Sequence, residues 1–402
     1  MLAHFAVTIA LILGCGARPL VTDLHPGNPL TLPIVKRLDL TNILKVIEAD
    51  RARIKALFSQ DVAYIASLTN AVVSYTAQVD IGDPALTYDL VVDSGSANTF
   101  VGSGSQKYRS TQTSVYSGVN MSVVYGSGFA GVGPVYFDTL RIGDLTVRKQ
   151  AIGAADQAKG FEQVDGVLGI GPTLLTLDTI IGEPDTVVAT VVDNALSEGI
   201  TSSSVVGIYF QPPLTANDNN GEITFGGYDQ SRINGGLNVI GFTKIAPASS
   251  YVGIDQSITY GTAGIKILNE AAGIVDSGTT LLLLNSVAFN NYQQATGAAL
   301  DPTTGLLSLS AKDYDKLQSL YFKIGDTTYE FTRNAQIWPR ALNEQIGGTD
   351  DRVYLVVNEA ELPDGLSFIN GQVFLERFFH AYDSTSKLFG IAPTAHTFAT
   401  TN

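Results

Sequence analysis

Cysteine is almost missing from this chain. The single one, Cys15, lies in an apolar N-terminal stretch. The remainder therefore has no disulfide, no thiol nucleophile and no thiolate metal site. Histidine is nearly as scarce, with four in 402 residues. His4 and His25 sit near the start, and neither His380 nor His396 accompanies a Gly-x-Ser-x-Gly elbow, which disfavours a Ser-His-Asp hydrolase. Without His or Cys clusters a zinc hydrolase is disfavoured too, and no cofactor is expected. Charge is sparse at 15% of residues, well below the usual quarter. Basic residues are fewest, 24 against 38 acids, for a net charge of −14. That balance argues against nucleic acid as a partner. Long apolar runs are missing as well. The longest, Phe5 to Leu13, is too short to span a bilayer and is followed by Gly14, Gly16 and Ala17. It reads as a secretory signal over residues 1–17, so the protein is expected outside the cell and not in a membrane.

What is abundant is glycine, with 40 residues, among short strand-like segments. Val72–Ile81, Tyr88–Val92, Ser122–Tyr125, Val135–Phe137 and Leu145–Val147 have strand character between turn residues, which predicts an all-β body. Short helices are expected over Val187–Leu196, Ser286–Thr296 and Ala311–Leu320. Residues 18–62 differ. Up to residue 60 they hold seven basic residues (Arg18, Lys36, Arg37, Lys45, Arg51, Arg53, Lys55) against four acids. Leu44, Ile47, Ile54, Leu57 and Phe58 predict an amphipathic helix around 40–58. A basic helical segment ahead of an acidic body reads as a propeptide held by charge, with Lys36-Arg37 as a dibasic processing site. The alternative is an ordinary N-terminal helix of the mature fold. A change of lobe is placed near residue 235, giving lobes over 63–235 and 236–402.

One phrase occurs twice. Leu90-Val91-Val92-Asp93-Ser94-Gly95-Ser96 returns as Gly273-Ile274-Val275-Asp276-Ser277-Gly278-Thr279, close to half a chain later. Each copy delivers an acid at the end of an apolar strand, then turns at Gly beside a hydroxyl residue. Either copy alone is an ordinary turn. Two copies can set two carboxylates face to face. Such a pair titrates in two steps, and between them it holds one proton. One acid can then activate a water while the other polarises a carbonyl. Val123-Val124-Tyr125-Gly126-Ser127-Gly128 is a strand entering a glycine-rich turn, suited to a mobile hairpin lid.

With these motifs in view, the chain resembles the pepsin-family aspartic endopeptidases from about Val72 to the C-terminus. Asp93-Ser94-Gly95-Ser96 and Asp276-Ser277-Gly278-Thr279 match the family's two catalytic motifs. Val164-Asp165-Gly166-Val167-Leu168-Gly169-Ile170-Gly171 and Phe368-Ile369-Asn370-Gly371-Gln372-Val373-Phe374-Leu375 are similar to the segments behind them. Ala335-Gln336-Ile337-Trp338-Pro339-Arg340 adds a likeness to disulfide-free fungal enzymes of the polyporopepsin type. The resemblance implies a bilobal pepsin-like fold of two related β-barrel-like lobes, with the active site in the cleft between them. It implies Asp93 and Asp276 as the catalytic pair, Ser96 and Thr279 as their supports, and Ser94 and Ser277 as braces between the loops. Tyr125, Gly126 and Ser127 would contact substrate. Val91, Val164, Val167 and Phe161 would line pockets for bulky apolar side chains. Two departures stand out: Phe100 where most of the family has Trp, and Asn370 in place of an apolar residue. The expected protein is a monomeric, secreted acid endopeptidase acting on proteins and peptides, with its own propeptide as partner. The rival is a catalytically inactive member of the fold that binds proteins or inhibits an enzyme. Asn120-Met121-Ser122 is a glycosylation sequon.

Overall fold

A computed structural model of the protein describes residues 23–38, 46–58, 73–125, 128–156, 158–159, 164–213 and 217–402. The proposed signal, Gly126, Ser127 and Phe161 lie outside these residues. So does the side chain of Tyr125, whose backbone ends the strand Val115–Tyr125. Strands dominate. One 14-stranded sheet gathers the strands between Leu30 and Gly241 together with Phe378–Asp383 and Leu388–Pro393. A seven-stranded sheet is built from strands between Gly253 and Asn370. The chain changes sheet between Asn238–Gly241 and Gly253–Tyr260.

Alternation explains most strands. In Gly253–Tyr260, Ile254, Gln256, Ile258 and Tyr260 are buried while Asp255, Ser257 and Thr259 are more open. Observed strands are longer than the residue patterns predict. Val135–Phe137 is the middle of Gly128–Ile142, and Leu145–Val147 opens Leu145–Ala154. Cross-strand pairing carries them through residues with little intrinsic strand character.

The helix Ser286–Thr296 falls where its pattern predicts, capped by Asn285 and closed by Gly297 in the left-handed region. The helix expected over Val187–Leu196 runs from Val191 to Ser197, because Thr190 and Asp193 form a capping box at its start. The helix expected over Ala311–Leu320 stops at Tyr314. Turns follow there, with the amide of Leu317 bonded to the carbonyl of Tyr314. Leu320 is then taken into a strand beside Tyr260 and Phe331. Pairing with two neighbours overrides the local helical pattern.

The two copies of the repeated phrase occupy equivalent places. Leu86–Asp93 runs parallel to Gly166–Gly169, and Ile265–Val275 runs parallel to Phe368–Asn370. Each acid therefore emerges at the end of a buried strand held from the side by a second one.

The N-terminal segment is woven into this frame. The strand Leu30–Leu38 lies between Val73–Ile81 and Asn217–Phe225, antiparallel to both. Lys36 is buried and paired with Glu376. Arg37 bonds Asp89 at 2.6 Å and Thr76 at 3.0 Å. The dibasic Lys36-Arg37 is thus closed to a processing protease while this strand is in place. The described part of the predicted 40–58 helix runs from Val46 to Phe58.

Candidate active site

The loops after the two strands lock each other. The amide of Ser94 donates to Ser277 Oγ at 3.0 Å, and the amide of Ser277 donates to Ser94 Oγ at 2.9 Å. Ser277 Oγ also donates to the carbonyl of Val92. Gln372 Nε2 donates to the carbonyl of Ser277 from behind, at 2.9 Å. These bonds tie the two halves together at the base of the site.

Above them sit Asp93 and Asp276, both buried. The amide of Gly95 donates to Asp93 Oδ1 at 3.0 Å, and Ser96 Oγ donates to Asp93 Oδ2 at 2.6 Å. The second copy repeats this. Gly278 donates to Asp276 Oδ1 at 3.0 Å and Thr279 Oγ1 to Asp276 Oδ2 at 2.5 Å. Each carboxylate is fixed by one amide and one hydroxyl.

The N-terminal helix closes the site. Arg53 reaches from it to both acids. Its Nη2 lies 2.6 Å from Asp93 Oδ1 and 2.8 Å from Asp276 Oδ1, and its Nε lies 2.7 Å from Asp276 Oδ2. One planar guanidinium spans the pair, a geometry a lysine ammonium could not copy. Gly95 and Gly278 make room for it, since a Cβ on either would collide with the guanidinium.

Three residues before Arg53, Asp50 turns to the same loop. Its carboxylate accepts the amides of Thr280 and Leu281 at 2.9 and 2.8 Å. The end of the helix is held by Tyr251, whose hydroxyl donates to the carbonyl of Leu57 at 2.6 Å. Phe58 tilts against the same ring at 5.2 Å. Val46, Ile47, Ala49, Ala52 and Ile54 supply the buried apolar side of the helix.

The electrostatics follow from three buried carboxylates around one cation. Burial pushes Asp276 up, but Arg53 outweighs it through charge and hydrogen bonds and holds the group below the usual carboxylate range. Asp93 is raised, chiefly by burial, with the charge of Asp276 adding to it and Arg53 opposing. Burial raises Asp50 to about 6 despite its two amide donors and Arg53. Burial alone would lower Arg53, but Asp276 and Asp93 raise it above its ordinary value.

The other predicted residues fall into two groups. Val91, Val164 and Val167 join Phe100, Met121 and Val123 in an apolar cluster under the hairpin 115–142. Phe100 is a packing residue there, paired in register with Val167 and Gly153. Asn120 is exposed on the hairpin. Its carbonyl accepts the amide of Ile181.

Several contributors were not singled out by the sequence patterns. In the sequence Arg53 and Asp50 stand out only as charges of the basic segment. What marked their helix was its apolar spacing, and nothing local distinguishes them from Arg51 or Glu48. Their destination depends on contacts more than 200 residues away in the chain.

Comparison with known proteins agrees with this arrangement. The model of the family described as eukaryotic aspartyl protease matches residues 74–394. Polyporopepsin from Irpex lacteus is 47% identical over 337 residues, covering 83% of this chain and 98% of that protein. Rhizopuspepsin-3 from Rhizopus niveus is 32% identical over 279 residues, 66% of this chain and 68% of its own length. Among solved structures, the aspartic proteinase from Irpex lacteus matches with a TM-score of 0.81 and 42% identity, covering 93% of this chain and all of the other.

Proposed function

Since the chain belongs to the eukaryotic aspartyl proteases and is an aspartic endopeptidase, we propose that Asp93 and Asp276 are its catalytic pair and that residues 18–62 are a propeptide that blocks them. The observation that carries this reading is Arg53, which occupies both carboxylates from a helix of the N-terminal segment.

Once that helix leaves, the two acids face each other without a cation. Their repulsion makes the pair hold one proton in acid. The ionised acid takes a proton from a water placed between them, and the protonated acid hydrogen-bonds the scissile carbonyl. Water oxygen attacks the carbonyl carbon while the protonated acid gives its proton to the carbonyl oxygen, giving a tetrahedral gem-diol. A proton then passes to the leaving amine as the C–N bond breaks, and no covalent enzyme intermediate forms. Ser96 and Thr279 orient the outer oxygens, and the Ser94–Ser277 bonds keep the acids at matched height.

The substrate lies extended in the cleft that the helix now fills and is contacted by Tyr125, Gly126 and Ser127. Val91, Val164, Val167 and Phe161 favour bulky apolar side chains. Residues 1–17 direct secretion, residues 63–235 and 236–402 form the two lobes, and the mature enzyme is an extracellular monomer without nucleic-acid or membrane partners. Asn120 carries a glycan, read out as a mass loss on enzymatic deglycosylation.

The test is to acidify the proform to about pH 3–4 and assay denatured protein as substrate, with wild type, Asp276→Asn and a statine-type inhibitor. Wild type should cleave, and both the substitution and the inhibitor should abolish cleavage, with losses of roughly 10³-fold or more for a residue acting in the reacting pair. Activity surviving in Asp276→Asn overturns the paired-aspartate mechanism. A wild type that binds peptides but never cleaves them supports an inactive binding module instead.

A further inference from the structure

The two halves repeat each other at the site, but one pair of positions breaks the repeat. In the first half, Leu168 pairs with Val92 on one side and Thr99 on the other. Those residues flank the loop that carries Asp93. In the second half, Asn370 holds the same position, pairing with Val275 and Leu282 on either side of the Asp276 loop. Its carbonyl also accepts the amide of Asp276 itself, at 3.1 Å. Both ends of the second loop are therefore registered on one residue.

The side chain of Asn370 does not face an apolar neighbour. Its Nδ2 donates to Gln256 Oε1 at 2.9 Å, and Gln256 Nε2 donates back to Asn370 Oδ1 at 3.2 Å. Both residues are fully buried. Gln256 sits in the inward row between Ile254 and Ile258, where the register with Ile265–Val275 shifts. Such an irregularity re-aims a side chain. The first-half counterpart of Gln256 is Val79. Val79 stands opposite Tyr88, five residues before Asp93, as Gln256 stands opposite Ala271, five before Asp276. Val79 and Leu168 are both buried core residues.

Two apolar residues thus suffice at these places in one half, while the other half has two amides. Apolar contact is tolerant of sliding. Two reciprocal hydrogen bonds are satisfied in only one register, and a buried amide left unpaired is costly. Next to them, Gly371 fits tightly under the loop, where a Cβ would press on the carbonyl of Thr279 at 2.6 Å.

We propose that the Asn370–Gln256 amide pair is a positioning device that fixes the height of Asp276 against Asp93. Among the described residues neither side chain hydrogen-bonds the acids' carboxylates, and the pair acts through the backbone of Asn370. The proposal rests on the assignment of these acids as the catalytic pair.

The test copies the first half into the second. In Asn370→Leu alone, Gln256 loses its partner and Tm falls. In the double variant Gln256→Val with Asn370→Leu, apolar packing is restored and Tm recovers above that of the single variant. Its kcat should nevertheless stay reduced by roughly tenfold to a hundredfold, with KM little changed and the pH–rate profile displaced. That is the range expected when a remote change misplaces a reacting group. A double variant with the wild-type kcat and profile overturns the proposal.

Gln256→Glu decides the matter should the double variant not fold. Protonated, the acid offers one donor and one acceptor and reproduces both bonds; ionised, it cannot. Its kcat should match wild type near pH 3 and fall away at lower pH than wild type does as the solution is made less acid. A kcat that keeps the wild-type value above the pH at which the introduced carboxyl ionises, located by its infrared or NMR titration, overturns the proposal. Asp276→Asn, run alongside, reports separately on the catalytic pair: activity there removes the premise whatever the other variants do.

Discussion

At the scale of single residues, with residues 18–62 taken as the proposed propeptide, Arg53 and Asp50 pull the helix Val46–Phe58 in opposite directions as pH changes. Asp276 has its pKa lowered while Arg53 is docked. Its contribution to docking is present above the pKa it has when free and is lost as pH falls through the lowered value. Asp50 is raised to about 6 when docked. Its docked form binds a proton more readily, so its contribution grows as pH falls from about 6 towards the ordinary carboxylate value near 4. Asp50 therefore opposes acid release, in a setting where Arg53 and Asp276 are the charged groups nearest to it and the amides of Thr280 and Leu281 complete its contacts. Asp50→Asn keeps this position neutral at every pH, as protonated Asp50 is in acid, so it lifts the cost of the buried charge above about pH 6 and leaves the acid end unchanged. The midpoint of acid release should therefore stay in place or fall, by up to about one unit, followed as release of the N-terminal segment against pH. A midpoint moved to higher pH refutes the assignment. Arg53→Ala leaves two buried acids without their cation. Truncating one partner of such a pair costs about 3–5 kcal/mol. The proform should then show activity at a pH where wild type is latent. The acids and hydroxyls of the site were legible in the sequence because the repeat announces them. Arg53, Asp50 and Gln256 were not, and Asn370 showed only as a departure from an apolar pattern, because each works through a partner far along the chain that no local pattern reveals.

At the scale of elements, the hairpin 115–142 depends on one buried acid. Asp138 accepts the hydroxyls of Tyr108 at 2.8 Å, Thr113 at 2.6 Å and Ser114 at 2.7 Å, and the amide of Thr139 at 2.8 Å. Burial raises its pKa, but the bonds from Ser114, Thr113 and Tyr108 outweigh that and lower it. Its stabilisation is present above the unfolded carboxylate value near 4 and is lost as pH falls through the folded value. Asp138→Asn should destabilise by about 2 kcal/mol near pH 6. In thermal unfolding, its gap to wild type should narrow as pH drops below about 4. Turns and strand cores of this hairpin could be read from alternation and glycine spacing. The convergence of four hydroxyls on Asp138 could not, because Tyr108, Thr111, Thr113 and Ser114 lie in a turn-rich stretch without periodicity. The Ala311–Leu320 segment makes the same point, since its helical pattern yields to strand pairing at Leu320.

At the scale of the whole molecule, His380 works against life in acid. It lies in the strand Phe378–Asp383, buried, and neither ring nitrogen meets a partner among the described residues. Burial lowers its pKa to about 3. The unfolded chain takes up that proton near 6.5, so this residue costs stability as pH falls from about 6.5 to about 3. The loss is on the order of 5 kcal/mol at most. His380→Phe should flatten the decline of Tm over that range. An equally steep decline shows that other groups dominate it.

The strand Leu30–Leu38 has a consequence for the life of the protein after activation. It pairs along most of its length with Asn217–Phe225 and over Val35–Leu38 with Val73–Ile81, so its departure, on the proposed removal of residues 18–62, would leave rows of unpaired amides and carbonyls facing each other inside one sheet. Such rows are templates for any passing extended chain, including another copy of this one. Activation is therefore also a moment of exposure to self-association. The gap must be refilled faster than molecules meet, and crowding many proforms together before acidification should convert part of the yield from enzyme into aggregate.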